Sequence, residues 1–195
     1  MNVHAGVGTK SVSFAPAHPR FMSPAQKATA PPVIHFIGAS GSGKTTLLEK
    51  VIRNLKERGH CVAAIKHSHH RVELDRPGKD SWRFAQAGAD IVTVAAPDRL
   101  ATFERTQREP GLRNLLRSLA GRVDLVLAEG FRSEAGAVVL VQGEDDQFDA
   151  PPVDECLAVV SDSDATGGVI PYFSPNDIDG LVRLIEEFAG LSGRG

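Results

Sequence analysis

One stretch limits the fold more than any other: Gly38-Ala39-Ser40-Gly41-Ser42-Gly43-Lys44-Thr45-Thr46. It meets every required position of G-x-x-x-x-G-K-[ST], the phosphate-binding P-loop. The apolar run Val33-Ile34-His35-Phe36-Ile37 leads into it, and Leu47, Leu48, Val51, Ile52 and Leu55 follow at the 3/4 spacing of an amphipathic helix. The motif therefore sits between a strand and a helix, as its mechanism requires. Gly38, Gly41 and Gly43 let the backbone close around a phosphate, with Ser40 and Ser42 between them. The exposed amides and the positive helix end attract the anion, and Lys44 adds a point charge near the β- and γ-phosphates. Thr45 is placed to put its hydroxyl on Mg²⁺, and Thr46 completes the loop.

The remaining strands and helices alternate. Cys61–Ile65, Ile91–Ala95, Val123–Ala128, Ala137–Val141 and Leu157–Val160 read as further strands, the run at 137–141 as a candidate edge. Helices are expected from about Ser81 to Ala87, around Leu112, Leu115, Leu116 and Leu119, and from Ser174 onward. At the last of these, Ser174-Pro175-Asn176-Asp177 offers a capping serine, a proline at the first helical position and an acid three residues on. Residues 98–110 are polar and indistinct. This pattern predicts an α/β fold of the P-loop NTPase kind: a mostly parallel sheet with helices on both faces and a candidate edge hairpin.

The chain has 195 residues, 42% hydrophobic and 24% charged, enough for one well-filled core. Residues 1–31 contain no acidic residue and are rich in Ala, Pro, Ser, Gly and Thr, so they read as a disordered tail ahead of a domain at 32–195. A net charge of −2 gives no reason to expect nucleic acid or an anionic membrane as a partner. No run approaches the roughly 18 apolar residues of a membrane span, and Cys61 and Cys156 have no zinc-like spacing. They read as buried thiols in a cytoplasmic protein.

In parallel α/β sheets ligands bind beyond the carboxyl ends of the strands. The P-loop, Lys66–Arg71, Glu129-Gly130 and Ser161-Asp162 all follow predicted strands and should converge. Glu129 is the candidate carboxylate for Mg²⁺, because it closes an apolar strand and precedes a glycine that can approach a phosphate. Asp124, at the start of that strand, would face the wrong edge. Asp75 and Asp80 could hold a metal-bound water or orient the attacking one, which makes them the catalytic candidates beside Lys44. Three histidines, His67, His69 and His70, lie within four residues. With Lys66 and Lys79 they could donate to phosphates, bind a transition metal, or form a solvated turn. The guanine-selective N-K-x-D pattern is absent; Asp162 is the one candidate for a base contact. No arginine finger can be named, since Arg99, Arg105 and Arg108 fall in the indistinct stretch.

Taken together, the P-loop with Leu47 and Leu48, Lys66-His67-Ser68-His69-His70, Asp75-Arg76-Pro77-Gly78-Lys79-Asp80-Ser81 and Ala128-Glu129-Gly130-Phe131 resemble the MobB family of molybdopterin-guanine dinucleotide biosynthesis. The similarity runs from about Val33 onward and weakens after Gly143. It implies a GTP-binding protein with weak GTPase activity that assists the enzyme joining GMP to molybdopterin and helps pass the cofactor to molybdoenzyme apoproteins. It also implies a homodimer joined through an extra hairpin, with residues 137–142 the natural candidate. By matching motif, Gly41 to Thr46 bind phosphates and Mg²⁺, and Glu129 is the metal-site acid. Lys66, His67, His69, His70, Asp75, Lys79 and Asp80 form the side facing nucleotide, molybdopterin or its guanine dinucleotide. Related dimeric P-loop ATPases carry a lysine where this chain has Ala39, so that mode of cross-subunit activation is not expected. Two other readings stand beside this one: a P-loop kinase or ligase with an arginine-rich lid at 99–108, and a metallochaperone using the histidine segment.

Overall fold

The computed structural model describes residues 29–68, 76–131, 136–143, 151–162 and 169–191. Its centre is β1 (Val33–Ile37), apolar apart from His35 and buried at every position. β1 lies between β5 (Leu125–Glu129) and β6 (Ala137–Gln142) in a six-stranded sheet. β2 (Val62–Lys66) flanks β5, and β7 (Cys156–Ser161) and β8 (Tyr172–Phe173) continue beyond β6, giving the order β2-β5-β1-β6-β7-β8. Every pairing in this sheet is parallel.

The period of two along each strand sorts side chains onto two faces. On one face α1 (Lys44–Glu57) and α4 (Ile178–Phe188) bury Leu47, Leu48, Val51, Leu55, Leu181, Val182 and Ile185 against Ile34, Phe36, Leu127, Val139 and Val160. On the other, Leu112 of α3 (Leu112–Leu119) packs on Val33, Val126 and Ala128. A third patch, Ile37, Val138, Leu140 and Val159, continues the second face under β6 and β7.

Several expectations are corrected here. Residues 137–142 form neither an edge strand nor a hairpin but an interior strand, parallel to β1 and β7. The sequence carries the reason: Ala137 to Val141 are apolar without alternation, and all five are buried, as a strand covered on both faces requires. The hairpin is instead made by β3 (Ile91–Ala95) and β4 (Leu100–Glu104), which pair antiparallel as a separate two-stranded ribbon. Its turn closes with Ala96 N–H donating to the Arg99 carbonyl at 2.9 Å. So Ile91–Ala95 is a strand but not one of the main sheet, and part of the stretch read as indistinct is ordered. Helix α2 (Asp80–Gln86) lies beside the ribbon, where Ala85 and Val92 are buried. Both cysteines are half-buried rather than buried.

The cap of α4 also differs. Asp177 accepts from Gly180 N–H at 3.0 Å, so the helix begins at Ile178, whereas Ser174 accepts from Asn176 N–H at 3.3 Å in the turn before it. Asp177 wins because the 174–177 turn, closed by Asp177 N–H on the Ser174 carbonyl, uses the serine first.

Away from the strand carboxyl ends, α1 and α4 are tied together by charge. Arg58 reaches Glu186 and Asp179, each at 2.9 Å, and the buried His60 meets Glu186 at 2.7 Å. Asp179 also accepts from Asn54 at 2.9 Å. The Asn54 hydrogen bond, followed by that from Arg58, holds the Asp179 carboxyl below its ordinary value. A carboxylate lowered in the folded state stabilises above its unfolded pKa, and that gain is lost as pH falls through the folded value. The stability difference between wild type and Asp179→Asn is therefore expected to be constant near neutrality and to shrink below about pH 4. Urea denaturation midpoints of both proteins across pH 7 to 3 measure it; a difference independent of pH would refute the assignment.

Candidate functional site

Because the main-sheet strands are parallel, their carboxyl ends share one rim. The chain leaves β1 at Gly38, where an added Cβ would lie 2.1 Å from the Val141 carbonyl oxygen of β6. Only a residue without a side chain lets the loop pass that close. Ser42 N–H donates to the Ala39 carbonyl at 3.3 Å, and Gly43, at φ 87°, turns the chain into α1 with its carbonyl taking Leu47 N–H at 2.9 Å. The Lys44 ammonium folds back over the loop, donating to the Ala39 carbonyl and, at 3.4 Å, to Ser42 Oγ.

The ladder supplies the next group. Phe36 of β1 and Lys66 of β2 both stand opposite Glu129 of β5, so the last residue of β5 is level with the start of the P-loop. Thr45 Oγ1 donates to Glu129 Oε2 at 2.9 Å, and Lys66 Nζ lies 3.2 Å from Oε1. A hydroxyl and a carboxylate side by side are hard oxygen donors of the kind Mg²⁺ takes. The groups are 84 residues apart in sequence. Asp124 lies at the far end of β5, accepting from Cys61 N–H at 2.7 Å, on the wrong rim as anticipated.

His67 follows β2 directly. Its N–H donates to the Glu129 carbonyl at 2.9 Å, and its ring centroid lies 4.7 Å from that of Phe131. Gly130, at φ 96°, passes under the imidazole, where an added Cβ would come within 2.8 Å of His67 Cβ. The imidazole Nε2 is held by the Glu109 carboxylate. Sequence reasoning missed Glu109, which lies 42 residues from His67 in the connector after β4 and has no motif around it.

Other candidates are placed less directly. Lys79 caps α2, its carbonyl taking Arg83 N–H at 2.9 Å, and Asp80 pairs with Arg83 of the same helix at 3.7 Å. Asp162 follows β7 on the shared rim, two strands from β1. Arg99 pairs with Asp98, and Arg105 donates to the Ala85 carbonyl at 3.2 Å. His69, His70 and Asp75 lie outside the described residues.

Comparison with known proteins decides the family. The family model described as "Molybdopterin guanine dinucleotide synthesis protein B", MobB, matches residues 33–162. The chain belongs to the MobB family. It is 40% identical over 131 residues to a molybdopterin-guanine dinucleotide biosynthesis adapter protein of Haemophilus influenzae, covering 67% of this chain and 74% of that one. To the Escherichia coli protein of the same description it is 35% identical over 164 residues, covering 80% and 93%. A crystal structure of molybdopterin-guanine biosynthesis protein B superposes with a TM-score of 0.64 at 27% identity, over 81% of this chain and 99% of that chain. Bacillus subtilis MobB gives the same score at 25% identity, over 78% and 97%. Among the described residues no helix is long and apolar enough to cross a membrane.

The tight passage at Gly38 makes an outcome measurable. Gly38→Ala should cost roughly 1–3 kcal/mol or more, because the clash is with a strand backbone that cannot yield. Gly41→Ala, with nothing within 4 Å of the new Cβ but φ at 87°, should cost only about 1 kcal/mol. Chemical denaturation of the two variants orders them; equal costs would mean that β6 does not confine the loop.

Proposed function

We propose that this MobB-family chain binds Mg·GTP at the P-loop, hydrolyses it slowly, and acts as an accessory to the GMP-transferring enzyme of molybdopterin guanine dinucleotide synthesis. The observation that carries the reading is the cluster of Thr45, Glu129 and Lys66 beside the Lys44 loop. The loop amides and the N-terminal end of α1 would receive the phosphates, and Lys44 would exchange its two loop acceptors for phosphate oxygens. Thr45 and Glu129 would hold the magnesium, which when bound neutralises phosphate charge. Glu129 would then exchange its Thr45 hydrogen bond for the metal, while Lys66 keeps the carboxylate oriented. Asp75 and Asp80 remain the candidates for orienting water, His69, His70 and Lys79 for the ligand-facing side, and Asp162 for the base. A P-loop without an arginine finger hydrolyses slowly on its own, which suits an adaptor more than an enzyme in its own right.

Molybdopterin or its guanine dinucleotide is the second ligand under this reading, and molybdoenzyme apoproteins in the cytoplasm are the recipients. A homodimer joined through the β3–β4 ribbon accompanies it. The ribbon exposes Ile91 and Leu100 by more than half, and a free two-stranded ribbon with apolar side chains in water is the kind of edge that another sheet covers.

Two outcomes test these claims. Calorimetric titration with Mg²⁺ present should show GTP binding tighter than ATP, with binding lost in Lys44→Ala; equal affinity for both bases would remove the guanine assignment. Ile91→Glu with Leu100→Glu should convert a dimer to a monomer by light scattering, whereas an unchanged mass would place the interface elsewhere.

A further inference from the structure

The exposed contact between His67 and Glu109 has no evident part in holding the fold together. The Glu109 side chain is 64% exposed, and ion pairs open to water contribute little to folding. Yet the imidazole it holds is confined on two sides, and its backbone is fastened. Phe131 lies against one face, Gly130 runs beneath, and the backbone N–H of His67 is fastened to the Glu129 carbonyl. Phe131 itself has φ 58°, the left-handed region that a side chain seldom occupies, and its ring packs both on the Leu112 cluster and against the imidazole. His67 itself stands one residue beyond Lys66, the ion partner of Glu129.

We propose that Glu109 is a positioning residue of the nucleotide site: by accepting from His67 Nε2 it fixes the tautomer and direction of the imidazole at the rim where the phosphates bind. This rests on the reading of that rim as a nucleotide site. The place of Glu109 in the chain adds a consequence. It belongs to the 105–111 connector that returns from β4 to α3, and the start of this connector is anchored by Arg105, through its N–H to the Asp90 carbonyl and its guanidinium to the Ala85 carbonyl. The ribbon and the nucleotide rim are therefore joined by one short segment, with Glu109 at the rim end.

The test is a double-mutant cycle in the full chain, using Glu109→Ala, His67→Ala and the pair, with Glu109→Gln as the conservative variant. Single-turnover hydrolysis of Mg·GTP should slow about tenfold in Glu109→Ala with little change in the GTP concentration for half-saturation. Glu109→Gln, which can still accept from Nε2, should recover part of the rate. The pair should be no slower than His67→Ala alone, because removal of the imidazole leaves Glu109 nothing to position. In the nucleotide-free protein, the His67 Nε2–H resonance in ¹⁵N-edited spectra should be protected from exchange and lost in Glu109→Ala. Rates that multiply in the pair, an unchanged rate in Glu109→Ala, or an unaltered His67 resonance would each overturn the proposal while leaving GTP binding intact. Absence of Mg·GTP binding by the wild type would instead overturn the nucleotide reading itself, and this inference with it.

Discussion

A single constraint, the parallel register of β2, β5 and β1, underlies the candidate site. It sets Lys66, Glu129 and Phe36 side by side, so that a lysine, a carboxylate and the entry to the P-loop meet at one rim without any loop having to reach. If β5 slipped by one residue, Glu129 would turn to the opposite face of the sheet, since side chains alternate with a period of two. Register is protected by burial. Leu125 to Ala128 are buried on both faces, Leu125 and Leu127 under α1, Val126 and Ala128 under α3. The apolar core thus does chemical work at a distance: it holds fixed the one acid that the sheet delivers to the loop.

Within the site, electrostatics hold a polar cluster together. Glu129 is mostly shielded from water, which would penalise its charge were it alone, but it takes a hydroxyl on one oxygen and an ammonium on the other. Lys44 is likewise satisfied, by the loop carbonyl and Ser42, rather than extended into water. Each of these contacts is one that a phosphate or a hard cation can replace with a stronger one. On the proposed reading, an anion and a divalent cation together would take over both sets of contacts.

Much of this was legible in the residues. The P-loop, the strand that precedes it and the helix that follows are local features, and Glu129 could be chosen because it ends an apolar run. The placement of Asp124 on the far rim followed from the same direction of travel. What failed was pairing. Ala137–Val141 looked like an edge because nothing local says which strands lie on either side, although its unbroken apolar run already pointed inward. Leu100–Glu104 was missed because a strand exposed at nearly every position carries almost no hydrophobic period. Glu109 was invisible for the same reason: its meaning comes from the hairpin that brings it back, and the hairpin itself was unread.

That misread region sheds light on the family's role as much as the motifs do. The β3–β4 ribbon leaves Ile91, Val94 and Leu100 exposed, an apolar patch of the kind that marks an interaction surface. The ribbon is anchored at its base, where Val92 is buried and Arg105 is fixed to Asp90 and Ala85, and it is bare along its strands. An element held firmly at one end and left apolar along its length fits docking better than catalysis. Its return segment carries Glu109 to His67 and hence to the rim that holds Lys44, so the ribbon has a covalent route of a few residues to the candidate site. On the proposed reading, one hairpin would serve both an interface and the candidate site, and a change at either would reach the other through residues 105–109.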